Sequence, residues 1–433
     1  MRQYIQKYDR PDNLIIISLY PKRGELYSAG TSGVASYTKN IAKNMNRNII
    51  VLADYEEKKE MYEEGKILVY RCFQRNTPKM WIEIIKALLK FSSIKTVLVQ
   101  LDFAIYGSTL TTSLVLPLLA VLKLFGYQVS VTMHHVVLDA FKLKGHVGIK
   151  EGIIGQIKGW LYNILFHGFY FLLGTFTHQV IVLEEVLKTH LSKVIASRKI
   201  TTISHGVDTH LHPISKLEAR KKLKISKNEY VILFFGFINW FKGADCFVDA
   251  YKDTEYCLGR KARFIIAGGE SPTLKDRKYY QEYFNHVITN VKAAKQFEIT
   301  GYVPQKKIAQ YFSAADLVVL PYRTLMTASG VLSLVFSYRK PFIISDELGK
   351  MFQSPDFKYA LKKTGLHLSD VVFKLNHRSA LVSSENVLKN GIKKKMSQMA
   401  GIMSELRSYE NTAGLYEKAL SSWHTSGIEQ YVQ

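Results

Sequence analysis

Cysteine is scarce in this chain. Its three cysteines, Cys72, Cys246 and Cys257, stand far apart or without a ligand-like spacing, which leaves neither a disulfide framework nor a zinc site and fits a reducing cytosol. Proline is also rare, ten in 433 residues, and with 47% apolar and 22% charged residues no long segment has the composition of a disordered tract. The N-terminus, MRQYIQKYDRPDN, carries charge where a signal peptide needs an apolar core, so export is not expected. Acidic residues are the minority charge: 36 Asp and Glu against 59 Lys and Arg give a net charge of +23. Runs such as Arg220-Lys221-Lys222, Lys306-Lys307 and Lys393-Lys394-Lys395 would attract polyanions or anionic lipid, and solvated lysines on helix faces account for them equally well. No RNA- or DNA-binding module, basic-aromatic string or paired Cys/His finger accompanies the charge, so nucleic acid is not the expected partner.

Long uncharged runs are missing with one exception. Gly159 to Leu183 contains no Lys, Arg, Asp or Glu, and about 20 such residues are enough to span a bilayer. Asn163, His167, His178 and Gln179 interrupt it, and its end, QVIVLEE, reads as a strand. The expectation is a helix, buried or lying against a membrane, followed by a strand. Trp160, Tyr162, Phe166, Phe169, Tyr170 and Phe171 suit either core packing or contact with one leaflet.

What the chain does have is length for two cores and an alternation of short apolar runs with longer helical segments, the pattern of parallel sheets covered on both faces. Candidate strands in the first half are 13–20, 48–54, 66–73, 96–102, 128–134, 179–185 and 199–206; a second set restarts at 229–237 and continues at 262–269, 297–303, 317–322 and 341–345. The fold class read from this is α/β, with two Rossmann-like domains. The polar stretch 205–224 places the boundary between them, giving a first domain over residues 1–205 and a second over 206–400, and the apolar spacing within 399–423 reads as a helix closing residues 401–433.

Ligands of open parallel sheets sit at the carboxyl ends of strands, and several features fall there. Ser32-Gly33-Val34 precedes an amphipathic helix and either brings backbone N–H groups to a phosphate or is a plain turn. His134 stands at a strand end, as a ligand contact or a structural histidine. In the second half Lys242 follows FFGFINWF and either neutralises a diphosphate or is a surface lysine. Tyr302 and Val303 follow a strand and either hold a base or merely turn the chain, and Ser329-Gly330-Val331 opens a helix whose free N–H groups could meet an anion.

Across nearly its whole length the chain resembles glycosyltransferase family four, retaining transferases of the GT-B type that use nucleotide-diphosphate sugars. The resemblance rests on SGVASYT, VLVQLDFAIYG with VTMHH, ISHGVD, FFGFINWFKGAD, FIIAGG, ITGYVPQKKIAQYFSAADLVVLPY and ASGVLSLVFSYRKPFIIS, the second-half block being the specific part. It implies two domains facing each other across a cleft, with the final helix packing back on the first. It also implies a nucleotide-diphosphate sugar as donor, a saccharide or lipid-linked acceptor and no cofactor or metal, while the scarce cysteines and charged N-terminus suit a cytoplasmic setting, and the basic surface and aromatic helix suit a membrane-linked acceptor and contact with an anionic membrane surface. By resemblance Gly33 lies near the diphosphate and His134 near the reacting sugar and acceptor. Gly236 belongs to the donor site, Lys242 holds the diphosphate, Tyr302 and Val303 flank the base, and Ser329, Gly330 and Val331 present backbone donors.

Two departures stand out. Phe237 occupies the place of the family's usual Arg, and the usual Glu-x7-Glu pair would fall at Thr327 and Val335, so neither carboxylate is present. A catalytically impaired nucleotide-sugar-binding homologue is therefore the alternative expectation.

Overall fold

The computed structural model describes residues 2–27, 32–55, 57–389 and 391–426. Runs of branched apolar residues such as LIII, TVLVQL and FIIS form strands buried along their whole length, as expected of a sheet covered on both faces. The first lobe holds β1 (Leu14–Ile17), β2 (Ile49–Asp54), β3 (Glu60–Glu64), β4 (Ile67–Phe73), β5 (Thr96–Leu101), β6 (Gln128–Met133), β7 (Gln179–Val182) and β8 (Ile200–Thr202) in the order 3-4-2-1-5-6-7-8. All pair in parallel except β3 with β4. The second lobe holds β9 (Tyr230–Phe235), β10 (Tyr256–Cys257), β11 (Arg260–Ala267), β12 (Phe297–Ile299), β13 (Leu317–Leu320), β14 (Phe342–Ser345) and β15 (Val372–Phe373) in the order 10-11-9-13-14-15, with β12 on β11. In the first sheet the chain reverses direction of travel at β1, between β2 and β5; in the second it does so at β9, between β11 and β13. These are the switch points beyond which such sheets bind ligands.

Seven helices matter below: α1 (Gly33–Asn44), α2 (Val115–Leu124), α3 (Ile153–Phe176), α4 (Gly330–Ser337), α5 (Pro355–Thr364), α6 (Ile392–Leu406) and α7 (Tyr409–Ser426). α3 is followed by β7, so the uncharged stretch is a helix and then a strand; among the described residues no helix is long and apolar enough to cross a membrane.

Three features differ from the sequence reading. β3, β10 and β15 are edge or terminal strands too short or too polar to signal themselves, and the strands expected over 13–20, 199–206 and 297–303 end at Ile17, Thr202 and Ile299; beyond Thr202 the chain turns to bond the second lobe through His205 and Val207. The closing helix expected over 399–423 is two helices, broken at Arg407 and Ser408. There the backbone bonds across the molecule, Val207 N–H donating to the Arg407 carbonyl at 2.7 Å and Tyr409 N–H to the Val207 carbonyl at 3.1 Å. α6 packs on α4 and α5 in the second lobe, and α7 crosses to α1 in the first. Residues 427–433 lie outside the described residues.

The crossing is fixed by buried groups. Ala413, Tyr416 and Leu420 of α7 join the apolar cluster on one face of the first sheet, and the Tyr416 hydroxyl lies 3.0 Å from that of Tyr37 and 2.9 Å from Thr132 Oγ1. Arg407 binds the carboxylate of Glu184, in the first lobe, at 2.6 and 3.2 Å, and Asp356 of α5, in the second, at 2.6 Å. At Gly206 a methyl group would come within 2.2 Å of the Tyr409 ring, so only glycine admits this approach of the linker to α7.

Candidate active site

Between the lobes lies a cleft of about 360 Å3 walled by the carboxyl-end loops of both sheets. From the first lobe come Gly33 and Val34 at the start of α1, Asp102 after β5, His134 and His135 after β6, and His205 after β8. The α1 terminus is set by Ser32, whose Oγ accepts the Val34 N–H at 3.2 Å, leaving the first-turn amides directed along the helix axis toward the cleft. The two adjacent histidines differ in setting. His134 is 5% exposed, its Nε2 2.7 Å from Gln100 Oε1 and its ring edge-on to Tyr37; burial drives its pKa down to about 3, so it is neutral. His135 is more open, and its Nδ1 lies 2.7 Å from Asp102 Oδ2. Burial pulls the His135 pKa down, but the charge and hydrogen bond of Asp102 outweigh it and the net shift is upward. Burial likewise works against the Asp102 carboxylate and is outweighed by His135 and by the Ala104 N–H, so its pKa falls.

The second lobe contributes Gly236 and Phe237 after β9, Lys242, Tyr302 and Val303 after β12, and Thr327 through Val331 leading into α4. Gly236 has φ of +107°, and a methyl group there would meet Lys242 Nζ at 2.8 Å and Val331 Cγ2 at 3.3 Å. The glycine is thus the floor on which the ammonium rests. Burial in the cleft wall lowers the Lys242 pKa to about 8. Its turn is braced by Arg323, which donates from Nη1 to the Trp240 carbonyl at 2.8 Å and from its backbone to that of Phe241 at 2.8 Å, pairs with Asp245 at 2.7 Å, and lies 5.0 Å over the Trp240 ring. Ser329 caps α4: its Oγ accepts the Leu332 N–H at 3.1 Å and lies 3.0 Å from the Tyr322 hydroxyl. The amides of Gly330 and Val331 are then first-turn donors without an intrahelical partner. Phe237 stacks on Tyr302, centroids 6.3 Å apart at 20°, and Val303 is buried beside them.

The structure therefore brings Gly33, His134, Gly236, Lys242, Tyr302, Val303, Ser329, Gly330 and Val331 to one cleft. Thr327 lines it too, whereas Val335 is fully buried in the second core. Sequence reasoning passed over Asp102, His135 and His205. His205 Nδ1 lies 2.9 Å from Ser333 Oγ, tying the first lobe to α4. Asp102 and His135 stand within segments whose pattern was noted, but nothing in the order of residues shows that they pair. Chemically, two helix N-termini from opposite walls, one lysine and a histidine paired with a carboxylate make a site for a multiply charged anion. Among the described residues no cluster of His, Cys, Asp and Glu is placed to hold a metal ion.

Two Rossmann-like lobes enclosing an anion site between their carboxyl-end loops define the GT-B class. Residues 215–349 match the family model described as glycosyl transferases group 1. Sucrose-phosphate synthase from Thermosynechococcus elongatus is similar in structure, with a TM-score of 0.71 and 13% identity over 96% of this chain and 100% of that one. The trehalose-6-phosphate synthase OtsA is similar at 0.67 and 9%, over 95% and 99%. HepE of Anabaena, solved in complex with UDP and glucose, is similar at 0.62 and 14%, over 95% and 99%. No curated protein matches the chain in sequence. The chain thus has the GT-B fold, and its second lobe carries a region similar to group 1 glycosyl transferases.

Proposed function

We propose that the protein transfers a hexose from a nucleotide-diphosphate sugar to a saccharide or lipid-linked acceptor with retention, as a member of glycosyltransferase family four, in the synthesis of cell-surface polysaccharide or glycoconjugate. The observation that carries this reading is the Lys242 ammonium laid over Gly236 beside Val331 of the α4 terminus, where a departing diphosphate would gather negative charge. Such fixed donors in a water-poor cleft are worth several kcal/mol in the transition state, so the reading gives no metal a role. As the bond from the anomeric carbon to the diphosphate oxygen breaks, the acceptor hydroxyl attacks from the same face and its proton passes to that departing oxygen. His135, oriented by Asp102, and the neutral His134 behind it position the sugar and acceptor from the first lobe. The Tyr302 and Phe237 rings with Val303 receive the base. HepE, with UDP bound, makes UDP the first nucleotide to try.

The absent carboxylates at Thr327 and Val335 and Phe237 in place of an Arg favour a second reading, a nucleotide-sugar binder of impaired activity. Both are tested by calorimetry with UDP, GDP and ADP and by nucleotide release from their sugars. Lys242→Ala should weaken the preferred nucleotide diphosphate about 10- to 100-fold, the loss of one charge-assisted contact. His135→Ala should lower turnover more than binding. Tight binding without turnover for any acceptor supports the impaired binder, and absence of binding to all three nucleotides would falsify both readings.

A further inference from the structure

α3 carries its apolar side chains outward. Gly155, Gly159, Tyr170, Leu173 and Gly174 form its buried stripe, while Ile153, Ile157, Trp160, Ile164, Leu165 and Phe171 stand 49–73% exposed on the opposite face. This inverts the arrangement of an ordinary surface helix. The row runs about 29 Å at 1.5 Å per residue and opens several hundred Å2 of continuous apolar surface, at or above the largest patch a soluble monomer usually shows. At the far end Leu124 and Phe125, 85% and 70% exposed, extend it: Lys123 at the end of α2 donates to the Thr175 carbonyl at 2.7 Å, holding α2 beside the end of α3. Lysines flank it: Lys158 lies on α3 and donates to the Gly148 carbonyl at its start, and Lys123 and Lys199 donate to the Thr175 and Gly174 carbonyls at its end.

We infer that α3 lies flat in the interface of an anionic lipid bilayer, its apolar row among the acyl chains and the flanking lysines at the headgroups. The combination of an apolar face with Trp, Phe and Leu, a basic border and too little apolar length to span is that of an interfacial helix. Charge selects this occupant over a second copy of the chain, since a two-fold contact through α3 would set the same basic border against itself. The placement deepens the proposed function and rests on it for its meaning. The segment leading into α3 packs against the second lobe at the cleft, with the His146 ring 5.2 Å from that of Phe241, next to Lys242. A bilayer under α3 therefore lies near the mouth of the cleft, where a lipid-linked acceptor would enter.

The test is flotation of the full chain with phosphatidylcholine vesicles, with and without phosphatidylglycerol, at low and high salt, beside calorimetry with UDP in solution. The variant is Leu161→Glu with Leu165→Glu, the first 49% and the second 65% exposed beside and within the middle of the row, so the fold is kept. Wild type should float with the anionic vesicles at low salt, and the variant should lose about tenfold or more of that partition with its UDP affinity unchanged. Failure of wild type to float overturns the inference. Equal flotation of the variant overturns it as well, because charge alone would then suffice, and so does a wild-type dimer that the variant dissociates without any vesicle binding. Loss of UDP binding in every form would instead sink the transferase reading and leave flotation to be judged separately.

Discussion

Burial lowers the Lys242 ammonium from 10.5 to about 8, and the direction of that shift fixes a pH dependence. In the empty cleft the lysine loses its proton as pH rises through 8, while in the unfolded chain it keeps it to 10.5, so this group's contribution to stability grows with pH between those values. A bound diphosphate favours the charged form. Affinity for the nucleotide diphosphate should thus hold up to about pH 8 and then fall, by at most about tenfold per pH unit. Calorimetry at a series of pH values should show this fall in wild type and in His135→Ala, and lose it in Lys242→Ala; a fall that survives in Lys242→Ala would assign the titration elsewhere. Lys242, Gly236 and the Ser329-Gly330-Val331 turn were legible because each sits in a local pattern of strand, turn and helix. The pairing of His135 with Asp102 was not, since the two follow different strands and meet only because β5 and β6 are neighbours in the sheet.

At the scale of the element, α4 is short, eight residues, and relies on its cap. Ser329→Ala leaves the Leu332 N–H and the Tyr322 hydroxyl without their partner and should cost about 1 kcal/mol, read as a lower midpoint in thermal unfolding. Ser329→Asp separates capping from charge. It keeps an acceptor for the helix, so stability should stay near wild type, but it puts a negative charge at the proposed diphosphate site and should weaken nucleotide binding. Equal binding by Ser329→Asp and wild type would show that the α4 terminus does not face the anion. Helices and central strands were readable here from apolar period and length. The polar edge strand β3 was not, because pairing with β4, rather than any run of apolar residues, makes it a strand.

The whole molecule is held at Arg407. Its guanidinium joins Glu184 of one lobe to Asp356 of the other and lies 4.6 Å over Phe357, nearly excluded from water. Arg407→Ala would strand the buried Glu184 carboxylate and should cost about 3–5 kcal/mol, seen as a lower denaturant midpoint. Arg407→Met with Glu184→Gln removes both charges and should recover part of that loss. A single-variant cost near zero would mean that the lobes do not depend on this clamp.

Composition and the order of residues determined that the chain makes two α/β lobes, and they pointed to the strand ends that bear chemistry, because apolar period and glycine-rich turns are local properties. Tertiary structure decided which of those ends face one another, which of two adjacent histidines pairs with a carboxylate, where the closing helix breaks, and that α3 shows its apolar side to the outside. Each of these depends on partners far away in the chain, brought close only by the packing of the two sheets and the return of α7.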